Sequence, residues 1–267
     1  MHRPVCLSLA CLSLALAALW PQSVQAEIVP HRAEYSLKLG AAANAVRVGT
    51  AIHDLEADCA GWRLKRDINV ELSLTSAWKL AVGSKLDGEE ARGGSSFRYR
   101  VTQIQNANER HSQGRVQRRE GEVRAEIVAG GQPTQFNLPA ATLMPVQAIG
   151  HLIDRLRGGA LSFPALTFDA EVIGDGFLVD VEVLDRAALR AARPTDREVV
   201  PPDGKSWPVS LTFTRGRQQQ QNPLFTVTTL IWETGILDRL TVNTGMVAVT
   251  ADLQALDIRK TPHCPRS

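Results

Sequence analysis

Histidines, cysteines and paired carboxylates are the residues of this chain whose types and spacing could do chemistry. His31, His53, His111, His151 and His263 follow the N-terminal stretch, and no two stand at the short spacing that zinc sites use. Cys59 and Cys264 have no neighbouring thiol, and His263 is the one imidazole beside either of them. A histidine next to a cysteine can tune a thiol, but this one reads as a tail residue. The chain has no G-x-S-x-G elbow, no H-E-x-x-H pair and no phosphate loop. Gly93-Gly94-Ser95-Ser96 precedes a strand pattern rather than a helix, so it reads as a turn. The carboxylate pairs are Glu89-Glu90, Asp169 with Glu171, and Asp180 with Glu182. The last two pairs fall on the parity opposite Phe168, Val172, Val179 and Val181, and are therefore expected to face solvent as ordinary acids. These residues predict no catalytic centre, no metal and no cofactor, and the chain is read as a non-enzyme.

The cysteines carry a different kind of chemistry. Of the four, Cys6 and Cys11 lie in a segment that reads as an export signal. His2 and Arg3 open it, Val5 to Trp20 is apolar, and Val24-Gln25-Ala26 provides small residues for cleavage after Ala26. Residues 1–26 are thus expected to be removed, leaving 27–267 as one domain; an uncleaved anchor is the alternative. Cys11 sits inside the apolar run behind Ser8-Leu9-Ala10, a poor lipidation signal. Outside the cytoplasm the remaining even pair, Cys59 and Cys264, reads as a disulfide that ties the chain's beginning to its end, two buried free thiols being the other reading. The chain-entropy model gives a loop of that length an upper value of about 5 kcal/mol.

Composition narrows the classes further. A formal net charge of +2, with Arg3 the one charged residue of the segment to be removed, provides no strong attraction to nucleic acid or anionic lipid as a whole. An aromatic content of 5% argues against a sugar-stacking face, and 44% hydrophobic residues suits a globular chain.

The elements that would position any site are mostly strands. Trp62, Leu64, Ile68, Val70, Leu72 and Leu74 share one parity, and Arg63, Lys65, Asp67, Asn69, Glu71 and Ser73 the other. Arg66 alone breaks the apolar side. One face of such a strand is buried and the other wet. Tyr35, Leu37 and Leu39 alternate likewise, as do Phe97, Tyr99 and Val101. Asn106 to Glu126 is polar and predicts solvated strands near an edge, with a hairpin turn at Arg118 to Glu122. Val146, Ile149, Leu152, Ile153 and Leu156 shift to helical spacing between Pro145 and Gly158-Gly159. Phe168 to Val172 and Phe177 to Val183 predict a hairpin about Gly174-Asp175-Gly176. Asp185 to Lys205 reads as a surface excursion with one or two helical turns at Ala187 to Ala192. Val209 onward is a final meander, with a polar tip at Gln218 to Gln221. Twelve to fourteen twisted strands cannot lie flat. The expected fold is all-β with one or two helices: a curled antiparallel meander, open and barrel-like, with the amphipathic helix on its concave face and the disulfide holding its ends.

Several stretches together resemble the EipB family of cell-envelope integrity proteins of the alphaproteobacterial periplasm. They are Val29 to Tyr35, Asp58-Cys59-Ala60-Gly61-Trp62, Phe97-Arg98-Tyr99, Leu143-Met144-Pro145-Val146-Gln147, Trp207-Pro208-Val209-Ser210, Glu233 to Leu240, and Cys264. The family's Tyr-Asp-Gly-Ser segment is Phe168-Asp169-Ala170-Glu171 here, and Val146 and Ala148 replace a Thr and a His of its helix entry. The resemblance implies a β-spiral with a disulfide, loosely similar to periplasmic lipoprotein carriers of the LolA and LolB type. It also implies a non-enzymatic role in envelope integrity and cell division, with a periplasmic tetratricopeptide-repeat partner. Left to the residues alone, a carrier of a lipid or lipoprotein acyl chain, a partner-binding scaffold and an unrecognised enzyme all stay open.

Overall fold

The computed structural model describes residues 28–73, 79–106, 108–171, 176–193, 199–200, 202–216 and 222–264. The expected signal segment, the Gln218 to Gln221 tip, Leu74, Val172 and the Gly174-Asp175 turn lie outside them. The period-two stretches form β1 (His31–Leu39), β2 (Arg47–Ala57), β3 (Gly61–Ser73), β4 (Lys79–Ala91) and β5 (Ser96–Gln105). The polar stretch supplies β6 (Asn108–Arg119) and β7 (Glu122–Ala129), followed by β8 (Gln132–Leu138). Then come α1 (Pro145–Arg157), β9 (Ser162–Phe168), β10 (Gly176–Val183), β11 (Ser206–Arg215), β12 (Phe225–Trp232), β13 (Leu237–Asn243) and β14 (Ala248–Ile258).

All fourteen strands belong to one antiparallel sheet in the order β8-β7-β6-β5-β4-β3-β2-β1-β14-β13-β12-β11-β10-β9. From β1 at the middle of the sheet the strands meander to one edge, the chain crosses over as α1, and the strands meander back from the other edge to pair β14 with β1. The sheet stays open, curled by strand twist. This topology changes the role expected of the cysteines. Cys59 Sγ is bonded to Cys264 Sγ, but Cys59 lies on the β2–β3 turn and Cys264 just past β14, so the bond staples the middle of the sheet. The two edges, β8 and β9, are brought together by α1 and by a parallel bridge from Leu143 to Thr167.

Register shows which residues face inward. His31, Leu55, Leu64, Gly88, Tyr99, Gly114 and Ile127 form one cross-strand row. Two residues further along each strand, Ala33, His53, Arg66, Leu86, Val101 and Ser112 form the next. The inner face carries the main core, where Val146, Ile153 and Leu156 of α1 meet Phe97, Val116, Val123, Phe163, Phe168, Phe177 and Val209. The α1 stripe is buried because it faces the concave side of the curl. A second apolar cluster, around Tyr35, Leu37, Ile236 and Leu253, covers the same face of β1–β3, β13 and β14 beyond the reach of α1.

Two local expectations are corrected. The strand foreseen at Phe168 to Val172 instead runs from Ser162 to Phe168, and Asp169 begins the turn into β10. Pro164 is accommodated because β9 is an edge strand: β10 is its one partner strand, and the Leu143 bridge touches it only near Thr167, away from Pro164. The excursion after β10 has one short 3-10 turn at Arg186–Ala188. It is more than surface loop: Leu189, Arg193 and Pro202 are buried. Arg193 reaches the outer face of β14, bonding Thr250 Oγ1 at 2.7 Å and Asp252 Oδ2 at 2.9 Å.

Candidate functional site

The inner face carries two polar constellations, one at the start of α1 and one where α1 stops covering the sheet. The first is built on Glu90. Its strand parity, opposite Trp62 and Phe97, turns it inward while Glu89 faces out. Glu90 is 3% exposed. Its carboxylate accepts from the Val146 amide at 2.7 Å and the Gln147 amide at 2.8 Å, two of the amide donors that a helix start leaves free. Gln147 Oε1 accepts from the Met144 amide at 3.3 Å, and its Nε2 donates to the Gly93 carbonyl on the β4–β5 turn. Pro145 at the first helical position has no amide to leave unpaired. Burial pushes the Glu90 carboxyl up to about 7, against the two amide bonds that pull it down. The Leu143-to-Gln147 stretch is thus the latch that seats α1 on the sheet.

The second constellation is a polar collar. Arg66, the residue that broke the β3 pattern, donates to Glu171 Oε2 at 2.5 Å and lies 3.8 Å from Asp169 Oδ2. Ser84 Oγ donates to Glu171 Oε1, and Gln103 Nε2 donates to the Glu171 carbonyl at 3.0 Å. Ser84 and Gln103 are cross-strand neighbours on β4 and β5, so the turn after β9 is tied across the inside of the curl. His53 stands directly opposite Arg66 on β2, with its ring 5.5 Å from that of His31. Burial and the Arg66 charge hold the His53 imidazole down to about 3, and burial also lowers His31. Burial raises Asp169, with Arg66 opposing; for Arg66 the two carboxylates outweigh burial and raise it. The Tyr99 hydroxyl is buried nearby without a partner, and desolvation raises its pKa, making it a weaker acid.

Asp169 and Glu171 were expected to face solvent, and this is overturned: the strand ends at Phe168, so parity no longer applies to them. Asp180 and Glu182 are exposed, as expected. His31 and His53, far apart in sequence, come together, whereas His111 and His263 are exposed and His151 lies edge-on to Phe163. No group of three or more His, Cys, Asp or Glu able to hold a metal occurs among the described residues. Chemically the collar is a clamp. Both oxygens of Glu171 are engaged, by Arg66 and by Ser84, and His53 faces a guanidinium.

The Cys59 turn is built with similar economy. Asp58 Oδ1 accepts from the amides of Ala60 and Gly61, both at 2.8 Å, and Arg92 donates to the Asp58 carbonyl at 2.6 Å. A Cβ on Gly61 would lie 2.0 Å from the Glu90 carbonyl oxygen, so the Asp58-to-Trp62 stretch admits only glycine there. The Glu233-to-Ile236 turn closes over the other side of α1: Thr234 accepts from the Val29 amide, and Gly235 packs against Ile28 and Ile149.

The comparisons fit this geometry. The crystal structure of a β-barrel-like protein of a domain of unknown function, DUF1849, from Brucella abortus superposes with a TM-score of 0.72 at 19% identity, covering 88% of this chain and 99% of that one. At that identity the likeness speaks for the fold. No curated protein matches the chain. The profile of the EipB-like family matches residues 22–260, a span that takes in the Cys59 turn, the latch and the Glu233 turn, and the chain belongs to the EipB-like family.

Proposed function

We propose that this chain is a non-enzymatic periplasmic protein that supports cell-envelope integrity and cell division through protein contacts, with a tetratricopeptide-repeat protein as partner. The observation that carries this reading is how the concave side is filled. Val146, Ile153 and Leu156 of α1, with Met144 and Phe168, are buried in the main core, and the turn after β9 is clamped across the bore by Arg66. That half of the curl has surfaces to offer rather than a cavity. One such surface is β8, whose residues Gln132–Gln135 are exposed and which pairs only with β7. An unpaired edge is a template for an extended partner segment. The test is capture of the mature protein from periplasmic extract. Enrichment of a tetratricopeptide-repeat protein is expected, and its absence, or a chain that never reaches the periplasm, sinks the reading.

A second reading has its own support. Beyond the collar, Ala51, Ile68, Val70, Leu72, Leu240, Val249 and Leu256 are only half-buried on the inner face, an apolar wall suited to an acyl chain. Native mass spectrometry of the protein isolated from its own cells decides this: a lipid adduct supports the carrier, and a clean protein mass removes it.

A further inference from the structure

The β1–β2 and β13–β14 turns lie side by side at the end of the sheet away from the α1 latch, joined by the Gly40 amide donating to the Ala248 carbonyl at 2.7 Å. Their side chains are unusual for a solvated tip. Met246 is 92% exposed, Val46 71% and Val247 41%, and Ala41 to Ala43 are exposed beside them. Between Lys38 and Arg47, and from Asn243 to Thr250, there is no carboxylate; those two cations bracket the first turn.

This apolar tip is also held in place. Arg193, its side chain 4% exposed, donates Nη2 to the carbonyls of Gly40 at 3.1 Å and Ala42 at 2.7 Å while Nη1 bonds Asp252. Thr250 Oγ1 adds a bond to the Gly40 carbonyl at 3.1 Å, and Thr244 and Val247 close the second turn on each other. Leu39 and Val249, paired where β1 ends and β14 begins, continue the same apolar character into the half-buried inner wall.

We propose that this paired tip docks on an anionic lipid surface, with Met246, Val46 and Val247 entering the interface and Lys38 and Arg47 meeting the headgroup phosphates. Three features favour a bilayer over a protein partner. The apolar side chains project singly from turns rather than forming a flat face. The charges beside them are of one sign, opposite to that of anionic headgroups. The turns are preorganised, so insertion costs little ordering. The small net charge of the whole chain does not oppose this, because the attraction is local and falls off within a Debye length. The inference is independent of the repeat-protein reading, since failure to bind vesicles leaves partner capture untouched.

The experiment is co-sedimentation of the purified protein with vesicles of phosphatidylethanolamine and phosphatidylglycerol, compared with phosphatidylcholine alone. Binding to the anionic vesicles, weakened by salt, is expected. Met246→Asp is expected to lower partition roughly tenfold and Met246→Leu to preserve it, while Lys38→Glu with Arg47→Glu abolishes the preference for anionic lipid. Met246 and Arg47 are exposed and Lys38 is half-exposed, so unchanged melting temperatures check that the variants fold. No binding to either vesicle, or binding that Met246→Asp leaves unchanged, overturns the proposal. So does a Met246→Asp variant that alters only self-association or protein capture.

Discussion

Single side chains set this protein's response to pH, and Glu90 and His53 pull in opposite directions. The Glu90 carboxyl holds its proton more tightly folded, at about 7, than at its ordinary 4.5. Its contribution to stability is therefore fully present below 4.5 and lost as pH rises through 7. His53, held at about 3 against an ordinary 6.5, contributes stability above 6.5 that is lost as pH falls toward 3. Because the histidines still titrate in the unfolded chain near 6.5, Glu90 is isolated by comparing the wild type with a variant that lacks its carboxyl. Between about pH 6.5 and pH 8.5 the wild type is expected to lose about 0.8 kcal/mol from this group. Glu90→Gln, neutral at every pH and still able to accept one helix amide, is expected to lack that slope. Urea unfolding at the two pH values checks this, and parallel slopes contradict it. Arg66 poses a different case, because removing it leaves Asp169 and Glu171 desolvated without their cation. Arg66→Ala is expected to cost about 2 kcal/mol, less than a fully buried pair because the side chain stays 28% exposed. An unchanged unfolding midpoint would deny the collar any structural weight.

Among the elements, α1 is the crossover between the two sheet edges and packs its apolar stripe into the main core. Ile153 is completely buried in the main core, and Ile153→Ala is expected to destabilise by about 3 kcal/mol, against a much smaller loss for the exposed Asp154→Ala beside it. Denaturant midpoints for the two variants test the assignment of the buried stripe. The helix, its proline entry and its double-glycine exit were legible as a change of period from two to 3.6. That it lies on the concave side followed from its apolar stripe needing a sheet to cover, but the side chains that meet it did not, because periodicity shows that a face is buried and not which residues pack on it. β9 was missed for a related reason. Its Pro164 breaks a strand pattern in sequence, and only its place at an edge makes that proline harmless. Asp169 and Glu171 then inherited a parity from a strand that had already ended.

For the molecule as a whole, the disulfide ties the β2–β3 turn to the chain's end across the centre of the sheet. β1 and β14 are already paired along nine positions, so the bond reinforces a seam that the hydrogen bonds also close. Its larger effect falls on the unfolded chain, where a span of 205 residues is kept together; the chain-entropy limit is about 5 kcal/mol. Cys59→Ser or Cys264→Ser is expected to lower the melting temperature clearly, and equal melting with and without reductant would refute that. The fold class and the partners Cys59 and Cys264 could be read from one dimension, because alternation, a shift of helical period and an even count of cysteines are local or countable properties; the family was carried by the ordered motif stretches from Val29 to Cys264. Three things could not. The sheet order that puts β1 and β14 at its centre, the gathering of Arg66, His53 and Glu171 into one collar, and the Met246 and Val46 tips standing side by side all depend on which strands become neighbours. That choice belongs to long-range pairing, and no spacing along the chain encodes it.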